Sequence, residues 1–305
     1  MDIYLPIAEL SVNAAVIIAL GLLVGVMSGL FGVGGGFLTT PLLIFYGIPP
    51  AVAVASSATQ VTGSSVSGAL AHWRRGGVDL KMGAMLVVGG VIGAGIGSVL
   101  FRQLQEIGQI DLSISLIYVV FLTLVGVSML VETIRTLRRQ AAGGRAAKLK
   151  SHNRLIAALP FRMRFRAAGL YISPIAPLII GILVGILTFL MGIGGGLIMV
   201  PVLIYLLGMS VGVVVGTSLF QIVFTTAAIT LLHAVQSKTV DIVLAGLLLV
   251  GGVVGAQVGA RIAVNLPPTK LRLALALLVL LVALRLLIGL TVEPDNLYSI
   301  DIDEA

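Results

Sequence analysis

Two glutamines, Gln60 and Gln221, and the hydroxyls around them hold most of this chain's capacity to bind a solute. "SSATQ" sets Ser56, Ser57, Thr59 and Gln60 into an apolar stretch, and "TSLFQ" does the same with Thr217, Ser218 and Gln221. Amide N–H₂ and hydroxyl groups are neutral donors suited to an oxyanion. The competing use of the glutamines is hydrogen bonding between helices, and hydroxyls can also satisfy themselves on the preceding helical turn. Upstream of each stands a glycine triplet: Gly34, Gly35 and Gly36 in "GVGGGFLTTP", which also carries Thr39, and Gly194, Gly195 and Gly196 in "GIGGGLIMVP". Glycine leaves amide N–H groups uncovered, and at the positive end of a helix dipole such groups attract anions; the plainer reading is a tight turn without ligand. The triplets are not a dinucleotide fingerprint, because Phe37 breaks G-x-G-x-x-G and no strand precedes it.

Two histidines complete the candidates. His72 and His233 titrate near neutrality and are read as gating or proton-linked residues, although Trp73 beside His72 also suits a seat at the headgroup level. Asp79 and Asp241 are expected in loops or at helix starts.

The elements that hold these groups are membrane helices. Of 305 residues, 58% are hydrophobic and 10% charged, and mean hydropathy is +1.16, well outside the range of soluble domains. The apolar runs are continuous rather than alternating, which excludes a β-barrel. There is no cysteine, hence neither disulfide nor thiolate chemistry. The N-terminal stretch lacks a basic n-region and is read as a retained first helix.

Five segments (11–31, 37–47, 50–72, 80–101, 112–132), a basic linker and five more (175–191, 197–208, 211–234, 240–263, 270–290) span the chain. The second of each set is too short to cross, so each is expected as a half-helix or an arm of a re-entrant hairpin after the glycine triplet. The sets are repeats: the triplets and following prolines align, then "SSATQ" with "TSLFQ", His72 with His233, and "GGVIGAGIG" with "GGVVGAQVG". Glycines four residues apart, as at Gly89, Gly93 and Gly97, are expected to pack helices closely.

Charge sets the orientation. Ten of the 19 Lys and Arg residues lie between Arg135 and Arg166, with no acid from Thr133 to Ser173. Beside membrane helices such a run reads as a cytoplasmic loop resting near anionic lipid, not as a nucleic-acid site. The expected layout is membrane repeat 1 (1–132), cytoplasmic linker (133–174), membrane repeat 2 (175–290) and an acidic non-cytoplasmic tail (291–305). Both termini then lie outside, and an odd number of crossings per repeat inverts one half relative to the other. Inverted repeats around a central site are a recurring plan of secondary transporters. No Asp or Glu falls mid-span, which argues against cation or metal cargo and leaves a small anion as the expected partner. No metal or cofactor is expected, and a homodimer is left open.

The duplicated "GVGGGFLTTPLL" and "GIGGGLIMVPVL" motifs, each followed by a polar stretch and a helix ending in His, resemble the TauE/SafE family of sulfite exporters. The resemblance covers nearly the whole chain outside the linker and tail. It implies an all-α plasma-membrane permease that exports sulfite, sulfoacetate or related organosulfonates, with its site between the repeats. An anion channel or a membrane part of a sulfur-metabolic complex is the alternative. A Ser57 and His72 hydrolase pair is remote, since spacing alone does not orient them. The inverted layout makes a direct prediction: single cysteines at Gly77 and Ser237 should react with an impermeant thiol reagent from opposite faces of the membrane. Reaction from one shared face would overturn it.

Overall fold

The computed structural model describes residues 2–31, 35–141, 162–165, 167–263 and 268–291. Gly34, the linker residues 142–161 and 166, and the acidic tail from 292 lie outside the described residues.

Among the described residues, ten α-helices fall into two sets of five. The first is α1 (Ala14–Phe31), α2 (Gly36–Phe45), α3 (Pro50–Arg74), α4 (Leu80–Glu106) and α5 (Ile110–Ala141). The second is α6 (Ile175–Met191), α7 (Gly196–Pro201), α8 (Val211–Leu232), α9 (Ile242–Ala263) and α10 (Pro268–Thr291). Pro201 has no N–H to give, and α7 passes at once into a π-helical turn, Val202–Leu206. A second π turn, His233–Ser237, extends α8. Among the described residues, five helices, α4, α5, α8, α9 and α10, contain stretches long and apolar enough to cross a membrane. The protein is an all-α integral membrane protein in its spanning part.

The short second helices fold back. The Tyr46 hydroxyl, just beyond α2, lies 3.5 Å from the Asn13 amide at the foot of α1. α1 and α2 thus form a re-entrant hairpin with its glycine turn at the inner tip. The end of the α7 segment likewise returns to the foot of α6, where Leu203, Ile204 and Leu207 share a buried cluster with Ala176 and Ile180.

Two small β-hairpins, absent from the sequence expectations, precede these re-entrant units. β1 (Asp2–Leu5) pairs antiparallel with β2 (Leu10–Asn13), and β3 (Met163–Phe165) with β4 (Leu170–Ile172). The second occupies the end of the stretch read as linker, while α5 runs on to Ala141. The first hairpin buries Leu5 and Val12 against Val52 and Ala53 at the start of α3. The second packs with Val214 of α8, which lies beside the far end of α3, where the ideal Cβ of Gly216 would fall 2.2 Å from the Gly77 carbonyl. The two hairpins therefore sit at opposite ends of α3.

Packing between the halves is exchanged: α1 lies along α9, and α4 along α6. Contacts advance together along both partners, so each pair is parallel. A Cβ on Gly25 would meet the Gly252 carbonyl at 2.3 Å and one on Gly255 the Leu22 carbonyl at 2.2 Å, while Gly93 faces the Ile182 carbonyl at 2.1 Å. Lipid supplies no hydrophobic drive, so this bare-backbone approach supplies the dispersion contact that holds the pairs. α3 and α8 cross at the centre, and α5 packs on α10 at the periphery. Replacing Gly93 with Leu should cost at least ~1–3 kcal/mol through overpacking, read as a lower melting temperature in detergent. Gly95→Leu, with open space around it, should leave that temperature unchanged; equal effects would show that the close approach is not what matters.

Candidate functional site

The two glycine turns meet in the interior. A Cβ on Gly36 would lie 2.4 Å from the Gly192 carbonyl, and one on Gly192 would lie 2.5 Å from the Val54 carbonyl of α3. Gly194 and Gly195 take φ of 74° and 75°, a left-handed conformation that side chains rarely tolerate. The turn of the second hairpin is thereby folded tightly enough to tuck under Val61 and Ile222. Gly35 closes the first turn, its carbonyl accepting from the Leu38 amide and from the Thr39 hydroxyl.

Polar side chains converge around these turns. The Thr39 hydroxyl lies 2.7 Å from Gln60 Oε1, tying α2 to α3. Thr40 Oγ1 lies 2.9 Å from Ser57 Oγ and 3.3 Å from the Met191 carbonyl. Between α3 and α8, Thr62 meets Thr226 at 2.8 Å and Thr59 meets Thr230 at 3.4 Å. Gln60 is 2% exposed and Gln221 1%, so the centre is closed to both surfaces. Each glutamine amide lies against the bare backbone of a glycine from the opposite half. Ideal Cβ positions on Gly252 and Gly90 fall 2.6 Å from Gln60 Nε2 and 3.2 Å from Gln221 Nε2.

The halves differ in chemistry where the motifs differ. Thr39 has Met199 as its counterpart, so Gln221 has no hydroxyl from α7; its Nε2 donates to Thr225 one turn on, at 2.9 Å. Its Oε1 is buried without a partner, as is Thr188 Oγ1 beside Gly195. A half-turn of that amide exchanges oxygen for nitrogen, letting the Thr225 hydroxyl donate to the carbonyl while N–H₂ faces the unfilled direction. The side chains that meet at the centre, Gln60, Gln221 and the threonine and serine hydroxyls around them, are uncharged donors and acceptors.

Not every expected site residue joins this centre. Ser218 bonds to the Val214 carbonyl of its own helix at 2.8 Å. Ser56 and Thr217 lie one turn outward from the glutamines, accepting from the backbone amides of Asp241 and Asp79 at 3.4 and 3.0 Å. His72 is part-buried at the end of α3, next to exposed Trp73, whose ring tilts against Phe220. His233 is fully buried, stacked on Phe189 with ring centroids 4.0 Å apart, and its Nε2 is 3.1 Å from the Phe189 carbonyl. It thus fastens the end of α6 just before the glycine turn.

Sequence reasoning missed Thr40, Thr62, Thr188 and Tyr118. Tyr118, buried in α5, donates its hydroxyl to the Met191 carbonyl. The signal available was a lone phenol in "SLIYVV", too common a pattern to single out.

The family described as "Sulfite exporter TauE/SafE" matches residues 17–286. "Probable membrane transporter protein YjnA" of Bacillus subtilis (strain 168) is 30% identical over 274 residues, covering 89% of this chain and 98% of its own. A "Probable membrane transporter protein" of Xylella fastidiosa (strain 9a5c) is 29% identical over 257 residues, 84% of this chain and 87% of its own. "Sulfite exporter TauE/SafE family protein 3" of Arabidopsis thaliana is 31% identical over 114 residues, 36% of this chain and 24% of its own. No solved structure matches. With both re-entrant hairpins and both glutamine helices inside the matched span, the chain belongs to the sulfite exporter TauE/SafE family and is a multi-pass membrane transporter, not an enzyme.

Proposed function

We propose that this transporter exports small sulfur-containing oxyanions, sulfite or organosulfonates, by alternating access between two repeats inverted in the membrane. The observation that carries the reading is the central cluster of uncharged donors where the two glycine turns meet. Thr39 occupies the Gln60 carbonyl, so Gln60 has N–H₂ to offer, and Gln221 can present the same group by turning its amide. Neutral donors bind an anion without the tight ion pair that would retain it. Gly35, Gly36 and Gly194, Gly195, Gly196 supply the backbone amides of this reading, with Thr39, Ser57 and Thr59 beside them.

The exchanged helix pairs and the hairpins at opposite ends of α3 support inversion. Arg74, Arg75, Lys81, Arg135, Arg138, Arg261 and Arg272 gather at the end of the β3–β4 hairpin, whereas the other end holds Lys238, Arg285 and Arg102, the last paired with Glu106 at 2.9 Å. By the positive-inside rule the former end faces the cytoplasm of a plasma membrane, with both termini outside. With an inside-negative potential of 100 mV, moving an anion outward is downhill by about 2.3 kcal/mol per charge, so no coupling ion is required.

In proteoliposomes, Gln60→Ala and Gln221→Ala should each weaken apparent sulfite affinity about tenfold or more, as expected for losing a hydrogen bond to a charged ligand. Membrane insertion should be retained. Unchanged saturable flux in the double variant would remove the glutamines from the site, and flux that never saturates would favour a channel. Thermal stabilisation of the wild type by sulfite and sulfonates, with none by matched carboxylates, checks the cargo class.

A further inference from the structure

Asp79 and Asp241 are nearly or fully buried, at 3% and 0% exposure, and neither touches the anion site. Each does two things. One oxygen caps a helix: Asp79 Oδ1 accepts from the Met82 amide at 3.0 Å, and Asp241 Oδ1 from Val243 and Leu244 at 3.1 and 3.0 Å. An N-cap needs no more than that. The other oxygen reaches into the turn of a β-hairpin belonging to the opposite half. The Ile7 amide donates to Asp241 Oδ2 at 3.0 Å, and the Ala168 amide to Asp79 Oδ2 at 2.8 Å. The backbone amides of the same two aspartates donate to Ser56 and Thr217.

Each assembly therefore joins three pieces in alternation. At one end are the first hairpin, Asp241 of the second half and α3 of the first; at the other are the second hairpin, Asp79 of the first half and α8 of the second. Relative movement of the halves must strain one assembly or the other. Ser56 is four residues before Gln60 and Thr217 four before Gln221, so each lies on the same helix face as its glutamine, one turn outward. Both assemblies are intact in the structure, and the central site is closed.

We propose that Asp241 and Asp79 are the two gate latches of the transporter, Asp241 shutting the first-hairpin end and Asp79 the second-hairpin end. This rests on the alternating-access reading above. Opening one mouth requires release of a hairpin amide from a charged oxygen acceptor, a bond strong enough to hold a gate and weak enough to be exchanged for water.

The chain is cysteine-free, so Ser57→Cys serves as a single reporter beside Gln60, labelled by an impermeant, negatively charged methanethiosulfonate in right-side-out and inverted vesicles. Asp241→Asn keeps one acceptor for the cap and puts N–H₂ where the hairpin amide donates. It should speed labelling from the first-hairpin face about tenfold or more and leave the other face unchanged. Asp79→Asn should do the mirror image. Acceleration on both faces by one variant, or on neither, would overturn the latches. Where an Asn variant fails to reach the membrane, Ser56→Ala or Thr217→Ala cuts the same assembly from its other end and should show the same sidedness. A parent reporter labelled from one face alone would sink alternating access, while a face-specific response to each Asn variant would still uphold the latches.

Discussion

Backbone carbonyls in the middle of a membrane have no water to turn to, and the glycine turn of the second re-entrant hairpin is built around that constraint. The Met191 carbonyl takes the Tyr118 hydroxyl and lies within reach of Thr40, and the Phe189 carbonyl faces His233. These side chains come from α5, α2 and α8, so satisfying one turn draws both halves to a common point. Once the turn is fixed there, Gly36 lies against Gly192 and the glutamine helices α3 and α8 have a defined crossing. His233 is explained in the same terms: an aromatic niche against Phe189 and Phe101 holds its ring, and its nitrogen secures a carbonyl.

Exchange between the halves is the second organising feature. Helices α1 and α6 pack on α9 and α4 of the other half with almost no side chain between the backbones, because glycine recurs at each crossing turn. Such surfaces are smooth, and their attraction is dispersion rather than interlocked side chains. They hold the halves together through close backbone approach at each glycine.

Polarity is distributed by depth. Neutral donors sit at the centre, where a fixed charge would either cost desolvation or trap the cargo. The buried carboxyl groups of Asp79 and Asp241 stand one turn farther out, accepting from two and three backbone amides respectively.

Much of this was legible in the sequence because lipid imposes simple rules. Hydropathy and length determined the ten helical segments, the repeat of the glycine triplets exposed the duplication, and residue type alone marked Gln60 and Gln221 as costly to bury. The β-hairpins were not legible because strands of three or four residues carry too little periodicity to register. Partnership was decided only by tertiary structure. That Thr39 holds Gln60, that Ser56 and Thr217 serve aspartates, and that Asp79 and Asp241 reach hairpins of the opposite half depend on contacts across 21 to 234 residues. Local pattern records which groups are polar, whereas the exchanged packing of the halves determines which groups meet.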